Sequence, residues 1–342
     1  MKAFVKTGRQ PGEADVKDVP LTRPSPGEAL LRVASCGVCG SDVHAFRSHA
    51  GFEWVRTPVT LGHEFSGIVE AIGPGVTRVS PGDRVVAVAI QGCGRCATCR
   101  AGFTQLCPQR VAVGLSRDGG MAEYAVMPEQ HLVPVPEGLD LSVAALGEPL
   151  SVAVHAVDVR ADIEPGQKVV VSGPGPIGVL CGMVAKLRGA EVLLTGVGQD
   201  SESRLPAAER VGLRTANLSE EPLEEHLHRS FGEGAPDVWI ESSGSVRALG
   251  SALESVRPGG TIIVVGIYAE EMLFSPTAAV RRELSVLFSY SCTYEDYQES
   301  LDLLGRGAID PGPLLSKYPL EDAPEAFDAV SKGLTVKAIL VP

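Results

Sequence analysis

The chain of 342 residues carries a formal net charge of −12 at pH 7. Because an acidic protein repels phosphate backbones, we expect no nucleic-acid partner. The length suits about two domains, and 44% hydrophobic with 21% charged residues is typical of a globular enzyme. The N-terminus lacks an apolar signal segment, and no apolar run reaches the ~18 residues of a membrane span. We therefore expect a cytoplasmic protein without membrane contact.

The first part of the chain is predicted to be rich in β-strands, which are joined by turns containing glycine and proline. The predicted strands cover residues 2–6, 29–35, 66–73, 83–90, 122–127 and 131–135. Near Leu141 the apolar spacing becomes helical and stays so to about Arg160. This change of pattern predicts a domain boundary.

One segment in this first part combines metal-binding and proton-carrying side chains. CGVCGSDVH and the later GHE supply a thiol at Cys39, a hydroxyl at Ser41, an imidazole at His44 and the pair His63–Glu64. Thiolate, imidazole and carboxylate are all zinc ligands, and a mixed set indicates an open, catalytic site. The alternative is a set of core cysteines with an ordinary surface histidine.

A second group of thiols has a different pattern. The spacing C-x2-C-x2-C-x7-C places four cysteines within a short loop: Cys93, Cys96, Cys99 and Cys107. A closed tetrahedron of thiolates is typical of a structural zinc site, with an iron–sulfur cluster or a disulfide pair as alternatives. The remaining Cys36, Cys181 and Cys292 have apolar surroundings and are predicted to be buried thiols.

From Gln167 onward, continuous apolar strands alternate with helical segments, which predicts a parallel sheet covered by helices. The first strand is followed by a G-x-G-x-x-G motif that opens a helix: Gly173, Pro174, Gly175, Pro176, Ile177 and Gly178. In this context the motif predicts that a dinucleotide binds with its pyrophosphate at the helix N-terminus.

The choice between NAD and NADP stays open at this stage. A site for NAD normally has an acid at the end of the second strand, but Gly196 stands there. Asp200 could reach the ribose from a longer loop, and Arg204 could instead meet a 2′-phosphate. Both could equally be solvated loop charges.

Together these motifs resemble the zinc-dependent medium-chain dehydrogenase/reductase family, the alcohol and polyol dehydrogenases. The resemblance covers the whole length and includes GHEFSGIVEAIGPGV, PGDRV and GEPLSVAVHAV. It implies an α/β fold with a GroES-like, β-rich catalytic domain and a Rossmann domain with a doubly wound parallel sheet. We predict the catalytic domain at residues 1–150 and 291–342, and the Rossmann domain at residues 151–290.

The resemblance also implies roles for individual residues. Cys39 and His63 match the ligands of the catalytic zinc, Glu64 matches an acid that can join them, and Ser41 and His44 match a proton relay. A further carboxylate near the zinc matches Glu148, which could otherwise be an acid that stabilises a helix N-terminus. Segments that line the cofactor match Ser243, Val265 and Gly266, while Lys337 could approach the pyrophosphate or lie on the surface.

The sequence thus predicts a zinc-dependent oxidoreductase that transfers hydride between a secondary alcohol and NAD or NADP. One catalytic and one structural zinc are implied. The expected substrate is a polyol, sugar alcohol or cyclitol, although Ser289 stands where sorbitol-type enzymes resemble one another in an arginine. The alternative is a regulator that binds nucleotide and zinc without catalysis. The resemblance further implies a homotetramer or homodimer.

Overall fold

The computed structural model describes residues 1–342. Its strands are β1 (Lys2–Lys6), β2 (Ala14–Asp18), β3 (Glu28–Gly37), β4 (Val59–Thr60), β5 (Glu64–Ile72), β6 (Arg84–Ala87), β7 (Ile90–Gln91), β8 (Val111–Ala112), β9 (Tyr124–Pro128), β10 (Leu132–Pro134), β11 (Lys168–Ser172), β12 (Glu191–Gly196), β13 (Arg214–Asn217), β14 (Val238–Glu241), β15 (Thr261–Val264), β16 (Ser285–Phe288), β17 (Leu315–Pro319) and β18 (Lys337–Val341). The strands predicted in the first part of the chain are confirmed, whereas β2 and the two-residue strands β4, β7 and β8 were not predicted.

The helices are mostly short. They are α1 (Gly40–Phe46), α2 (Ala97–Arg100), α3 (Leu141–Ala144), α4 (Gly147–Val154), α5 (Pro176–Leu187), α6 (Arg204–Arg210), α7 (Leu223–Phe231), α8 (Val246–Ser255), α9 (Pro276–Arg281), α10 (Tyr294–Gly305) and α11 (Ala323–Ser331). A π-helical segment, His155–Ala161, continues directly from α4. The helical region predicted from Leu141 to about Arg160 is therefore confirmed.

The chain divides into two compact units. The first contains Met1–Ser151, Cys292–Ala308 and Leu315–Pro342. The second contains Val152–Ser291 and the short segment Ile309–Leu314.

The first unit is built around a seven-stranded sheet with the order β10-β6-β5-β3-β18-β17, in which β9 also pairs with β3. The long strand β3 pairs antiparallel with both β5 and β18. Gly37, at the end of β3, lies opposite Glu64 on one side and Ile339 on the other. This register brings the beginning of β5 and the beginning of β18 to the same end of β3.

The second unit contains six parallel strands in the order β13-β12-β11-β14-β15-β16. Numbered within the unit, this is the order 3-2-1-4-5-6 of a doubly wound sheet, so the predicted parallel sheet is confirmed. The central strand β11 contains the run Val169, Val170 and Val171, all with no exposed surface. Such continuous apolar strands are expected where helices cover a sheet on both faces.

One helical stretch, Leu141–Ala161, is long and apolar enough to cross a membrane by length and composition, contrary to our expectation that no such run exists. Its most apolar window is 78% buried inside the protein. Burial of this extent is typical of a core helix, so the stretch is weak evidence for a membrane span.

Candidate functional site

Cys39 lies immediately before helix α1 and is its N-cap residue. The Cys39 backbone N–H donates to Oδ2 of Asp42 at 3.0 Å, so an acid in the first turn caps the helix. The Cys39 sulfur is thereby held beside the helix N-terminus, where the partial positive charge of the helix favours a negatively charged ligand.

His63 follows a tight turn at Gly62, whose φ of +93° lies in the left-handed region. A Cβ on Gly62 would lie 2.6 Å from Sγ of Cys36 and 2.5 Å from Cγ of Met121, so only glycine fits. The turn brings Nδ1 of His63 to 3.3 Å from Oδ1 of Asp42.

Asp42 is fully buried and orients the His63 ring. Burial alone would lower the pKa of His63, but the Asp42 carboxylate and Cys39 together outweigh burial and hold that pKa well above its ordinary value. The other ring nitrogen, Nε2, lies 3.4 Å from Oγ of Ser41. A carboxylate behind an imidazole is the usual support of a metal-binding histidine. Sequence reasoning missed Asp42, although an acid three residues after the N-cap Cys39 is a recognisable capping pattern.

Glu64 is 1% exposed and forms an ion pair with Lys337, which is also 1% exposed. The alternative that Lys337 lies on the surface is therefore wrong, because the pairing of β18 with β3 buries it, whereas its approach to a pyrophosphate stays a prediction. Lys337 Nζ also donates to the carbonyl of Val38 at 3.2 Å. Burial would lower the pKa of Lys337, but the negative charge of Glu64 outweighs it and raises the pKa. A Cβ on Gly37 would lie 2.1 Å from Oε2 of Glu64, so glycine is required there.

Cys39, His63 and Glu64 come together as one group whose ligand atoms all lie within 4.8 Å of one another. The donors are a thiolate, an imidazole and a carboxylate, which together match the ligand chemistry of a zinc ion with an open coordination position. The three side chains therefore fit the catalytic metal that the sequence implies.

Glu148 is not part of this close group, although it is buried in the first turn of α4. Burial raises the pKa of Glu148 to about 7, while the charge of His63 acts in the opposite direction. The charge of His63 acts on Glu148 because Glu148 lies near the metal-binding group. Ser151 and Ser300 fix the beginning of α4 by donating to the carbonyls of Glu148 and Gly147 at 2.6 Å and 2.9 Å.

His44 lies one turn after Ser41 on α1, with its Nδ1 directed at Nδ1 of His49 at 2.8 Å. Its ring stacks on Phe52, with centroids 5.3 Å apart and an interplanar angle of 15°. Burial lowers the pKa of His44, and His49 lowers it further. His44 is therefore not the isolated surface histidine that the sequence left as an alternative.

The four-cysteine loop forms the second candidate metal centre. The sulfur atoms of Cys93, Cys96, Cys99 and Cys107 all lie within 4.8 Å of one another. Backbone N–H groups point at the sulfurs: Cys107 Sγ accepts from Cys93 N at 3.4 Å and from Gln109 N at 3.3 Å. The backbone N–H groups of Arg95 and Cys96 lower the pKa of the Cys93 thiol to about 6. A closed set of four thiolates with N–H support fits a structural zinc ion.

In the second unit, the glycine-rich turn lies between β11 and α5, at the point where the strand order reverses. Gly173 has a φ of +99°, and a Cβ on Gly178 would lie 1.9 Å from the carbonyl oxygen of Gly173. Gly175 is the N-cap of α5, and a Cβ there would meet only open space. The turn therefore leaves room for a pyrophosphate to approach the backbone, as a dinucleotide requires.

A cavity of about 620 Å³ adjoins this turn. Of the residues predicted to bind the cofactor, five line the cavity: Gly173, Gly175, Gly196, Arg204 and Ser243. The others are not among its lining residues: Pro176, Ile177, Gly178, Val265 and Gly266. Arg247 also lines the cavity and was not predicted, because no motif marks the first turn of α8.

Gly196 offers the cavity no acid, and the segment that follows β12 contains Asp200 and Arg204, which contact each other. Oδ2 of Asp200 accepts the backbone N–H of Val197 at 3.0 Å, and Oδ1 lies 3.4 Å from Nη1 of Arg204. Asp200 is 3% exposed, so both of its oxygens are occupied within the loop. Arg204 Nε is buried without a hydrogen-bond partner.

Comparison with known proteins agrees with this geometry. The model of the alcohol dehydrogenase GroES-like domain family matches residues 25–137. The model of the zinc-binding dehydrogenase family matches residues 176–306. The predicted fold class, a GroES-like domain with a Rossmann domain, is thereby confirmed.

Full-length relatives support the same assignment. The chain is 35% identical to the sorbitol dehydrogenase of Halalkalibacterium halodurans, covering 100% of this chain and 99% of that protein. It is 34% identical to the D-arabitol-phosphate dehydrogenase of Enterococcus avium, covering 94% and 92% of the two chains. Among solved structures, a protein from Sinorhizobium meliloti 1021 described as a zinc-binding dehydrogenase, bound to NADP, superimposes with a TM-score of 0.92 at 32% identity and covers 100% of this chain and 99% of that chain.

The two family models occupy most of the chain, and the relatives match it from end to end. The chain is thus an oxidoreductase that uses zinc and a nicotinamide dinucleotide, and the non-catalytic alternative is disfavoured. It belongs to the zinc-dependent medium-chain dehydrogenase/reductase family, the alcohol and polyol dehydrogenases.

Proposed function

We propose that the chain oxidises a secondary alcohol of the polyol class with zinc held by Cys39, His63 and Glu64. The group formed by these three side chains, in which His63 and Glu64 are buried and Cys39 is half-buried, carries the proposal. The polyol class is supported by the relatives named as dehydrogenases of sorbitol and arabitol phosphate. Glu148, whose pKa is raised to about 7, is proposed as a carboxyl group that can join the metal or yield to water.

When bound here, zinc supplies Lewis-acid polarisation of the substrate hydroxyl, and the nicotinamide supplies the hydride acceptor. The chain's own residues orient the metal ligands and neutralise their charge. Asp42 holds the His63 ring, and Lys337 balances the charge of Glu64. These contacts fix the ligands before a substrate arrives, so little reorganisation is needed during the reaction.

Ser41 and His44 are proposed as the proton relay. The Ser41 hydroxyl lies beside His63 Nε2 at 3.4 Å, so it can accept the proton that a substrate hydroxyl loses near the metal ligands. His44, one turn further along α1, would receive that proton. The two side chains form no direct hydrogen bond, so a cofactor hydroxyl or a water is needed between them.

We further propose that Cys93, Cys96, Cys99 and Cys107 hold a structural zinc, and that the two compact units are the catalytic and dinucleotide-binding domains. The predicted boundaries at residues 150 and 291 lie within one residue of the unit boundaries, but the second unit also includes Ile309–Leu314, which was predicted in the catalytic domain. The segments Pro176–Gly178 and Val265–Gly266 are proposed to shape the cofactor site through the backbone.

For the cofactor we propose a preference for NADP. The acid usual for NAD is missing at Gly196, and Asp200, which lines the cavity, is already engaged by the backbone N–H of Val197 and by Arg204. Arg204 and Arg247 place two guanidinium groups on the cavity lining. A 2′-phosphate is recognised by such groups. The related protein solved with NADP bound supports the same preference.

We propose that two or more copies associate, as a homodimer or homotetramer. The edge strand β16 carries Phe288, which is 68% exposed, and nearby Ile267 is 70% exposed. An unpaired edge with exposed apolar side chains is a favourable contact between copies of a chain. The net charge of −12 disfavours a nucleic-acid partner, so small molecules are the proposed partners. The reduced cysteine cluster favours a location in the cytoplasm.

The experiment that tests the function is an assay of zinc-loaded protein against a panel of polyols, cyclitols and simple secondary alcohols with both cofactors. Formation of reduced cofactor is measured by its absorbance. We expect turnover on at least one polyol and slower turnover on simple alcohols. A zinc-loaded protein with no turnover on any alcohol or ketone of the panel would overturn the proposal.

A further inference from the structure

His44, the last member of the proposed relay, is paired with His49, which lies just after α1. Nδ1 of His44 lies 2.8 Å from Nδ1 of His49, and the two rings meet edge to face with centroids 5.0 Å apart. At this distance one nitrogen donates and the other accepts, so the pair holds a single proton between the two Nδ1 atoms. His44 is partly buried, whereas His49 is exposed.

The surrounding chain is built to keep this pair together. Ser48 has a φ of +50°, which turns the backbone at the end of α1 so that His49 N donates to the carbonyl of His44 at 3.0 Å. The buried Lys6 fixes the turn, because its Nζ donates to Oγ of Ser48 at 3.0 Å. Phe52 packs on the opposite face of the His44 ring.

We propose that His49 is a positioning residue of the reaction, which sets the tautomer of His44 and takes from it the proton that leaves to solvent. The proposal rests on the proposed function of Ser41 and His44. In the starting state His44 carries its proton on Nδ1 and donates to Nδ1 of His49. Nε2 of His44 is then a free acceptor, and Nε2 of His49 carries a proton that faces water.

The proton balance is closed within the pair. His44 accepts the substrate-derived proton at Nε2 while its Nδ1–H bond breaks and a new bond forms at Nδ1 of His49. His49 then loses its Nε2 proton to water, so one proton enters and one leaves. After the product leaves and water reaches the site, His49 takes up a proton at Nε2 and returns its Nδ1 proton to Nδ1 of His44. Nε2 of His44 then gives its proton to that water, which restores the starting tautomers.

During the turnover, His49 provides the path by which the Nδ1 proton of His44 leaves. Nδ1 of His44 faces His49 and the face of the His44 ring is covered by Phe52, so a proton on Nδ1 has its direct path through His49. Burial and the neighbouring His49 both lower the pKa of His44, which favours rapid release over retention of the proton. An exposed imidazole is well suited to exchange that proton with water near neutral pH.

The kinetic test replaces His49 by glutamine, which can still accept the Nδ1–H of His44 but cannot pass a proton on. Hydride transfer and proton release are followed together in single turnovers of the zinc-loaded enzyme at constant pH, with a pH indicator for the proton. For His49→Gln we expect proton release at least about 10-fold slower, and restoration when imidazole buffer is added. His228→Gln, at another exposed histidine, should leave both steps unchanged.

A second measurement needs no turnover. In protein labelled with ¹⁵N at histidine, the shared proton predicts a scalar coupling between the two Nδ1 nuclei, and His49→Gln should abolish it. The proposal is wrong if His49→Gln releases its proton at the native rate, or if added imidazole does not restore a slowed release. It is also wrong if the two Nδ1 nuclei of the native protein show no scalar coupling. If the native enzyme turns over no alcohol while the coupling is present, the proposed function fails instead.

Discussion

Oδ1 of Asp42 lies 3.3 Å from Nδ1 of His63, while Oδ2 of the same carboxylate accepts the backbone N–H of Cys39 at 3.0 Å. One buried acid therefore positions both of the nitrogen and sulfur ligands proposed for the catalytic zinc. Because Asp42 contacts the two proposed ligands His63 and Cys39, its effect should appear first in metal affinity.

Replacement of Asp42 by asparagine should weaken zinc binding at the catalytic site by about 10- to 100-fold. The amide can still cap α1, but its NH₂ group or its weaker acceptor faces Nδ1 of His63, which loosens the required ring orientation. Competition with a chromogenic chelator measures the affinity. Asp118→Asn is the matched control. The exposed Asp118 carboxylate also accepts a backbone N–H, that of Thr60 at 3.0 Å, and its replacement should leave zinc binding unchanged. Unchanged affinity in Asp42→Asn would contradict the assignment.

The ion pair of Glu64 and Lys337 predicts a strong coupling between two substitutions. Lys337→Met leaves Glu64 buried without its cation and should lower the free energy of unfolding by about 3–5 kcal/mol. The double variant Lys337→Met/Glu64→Gln removes the unpaired charge and should recover part of that loss. Urea unfolding of the four proteins measures the cycle. Equal losses in the single and double variants would show that the pair is not coupled.

The sequence predicted the parts of the site that depend on ligand chemistry and local spacing. Cys39, His63, Glu64 and the four-cysteine loop come together as expected, because their motifs are short or fixed by the family pattern. The burial of Lys337 against Glu64 was not predicted, because Glu64 is brought to it only by the pairing of β18 and β5 with β3. That register is a property of the whole sheet and leaves no local signal.

Two other features of the site depend on turns that no sequence motif predicts. The contact of His44 with His49 needs a left-handed backbone at Ser48, which is unusual for serine. The alternative that Asp200 is a solvated loop charge is wrong, because its hydrogen bond with Val197 and its contact with Arg204 leave it only 3% exposed.

His131 predicts a specific loss of stability in acid. Burial lowers the pKa of His131 from 6.5 to about 4, and Arg117 and Arg78 act in the same direction. A folded-state pKa below the unfolded value means that protonation favours unfolding. The stabilising effect is complete above pH 6.5 and is lost as the pH falls towards 4. The loss should be about 2 kcal/mol after allowance for partial exposure.

The check compares urea unfolding of the native protein and His131→Gln at high and low pH. The variant should be less stable than or similar to the native protein at pH values above the ordinary histidine pKa, but should lose less stability on acidification. If both proteins lose the same free energy, His131 does not contribute to the acid dependence.

We expect that removal of Arg204 or Arg247 weakens the binding of NADP more than the binding of NAD. Arg247→Ala should raise the Kd of NADP by about 10-fold, the value of one charge-assisted hydrogen bond, and change that of NAD by less than about 2-fold. Arg204→Ala should act in the same direction. Direct binding by calorimetry measures both cofactors without turnover, and Arg210→Ala is the control at an exposed arginine of α6. Equal weakening of NAD and NADP would show that neither group recognises a 2′-phosphate.

The most direct test of the account combines metal content and turnover in the native protein and Cys39→Ser. Elemental analysis of the native protein should give two zinc ions per chain, one for each cysteine-containing group, together with oxidation of a polyol. Cys39→Ser should retain the structural ion alone, bind the dinucleotide with native affinity, and lose turnover. A Cys39→Ser protein that keeps both zinc ions and oxidises the same alcohol at the native rate would contradict the proposed catalytic site.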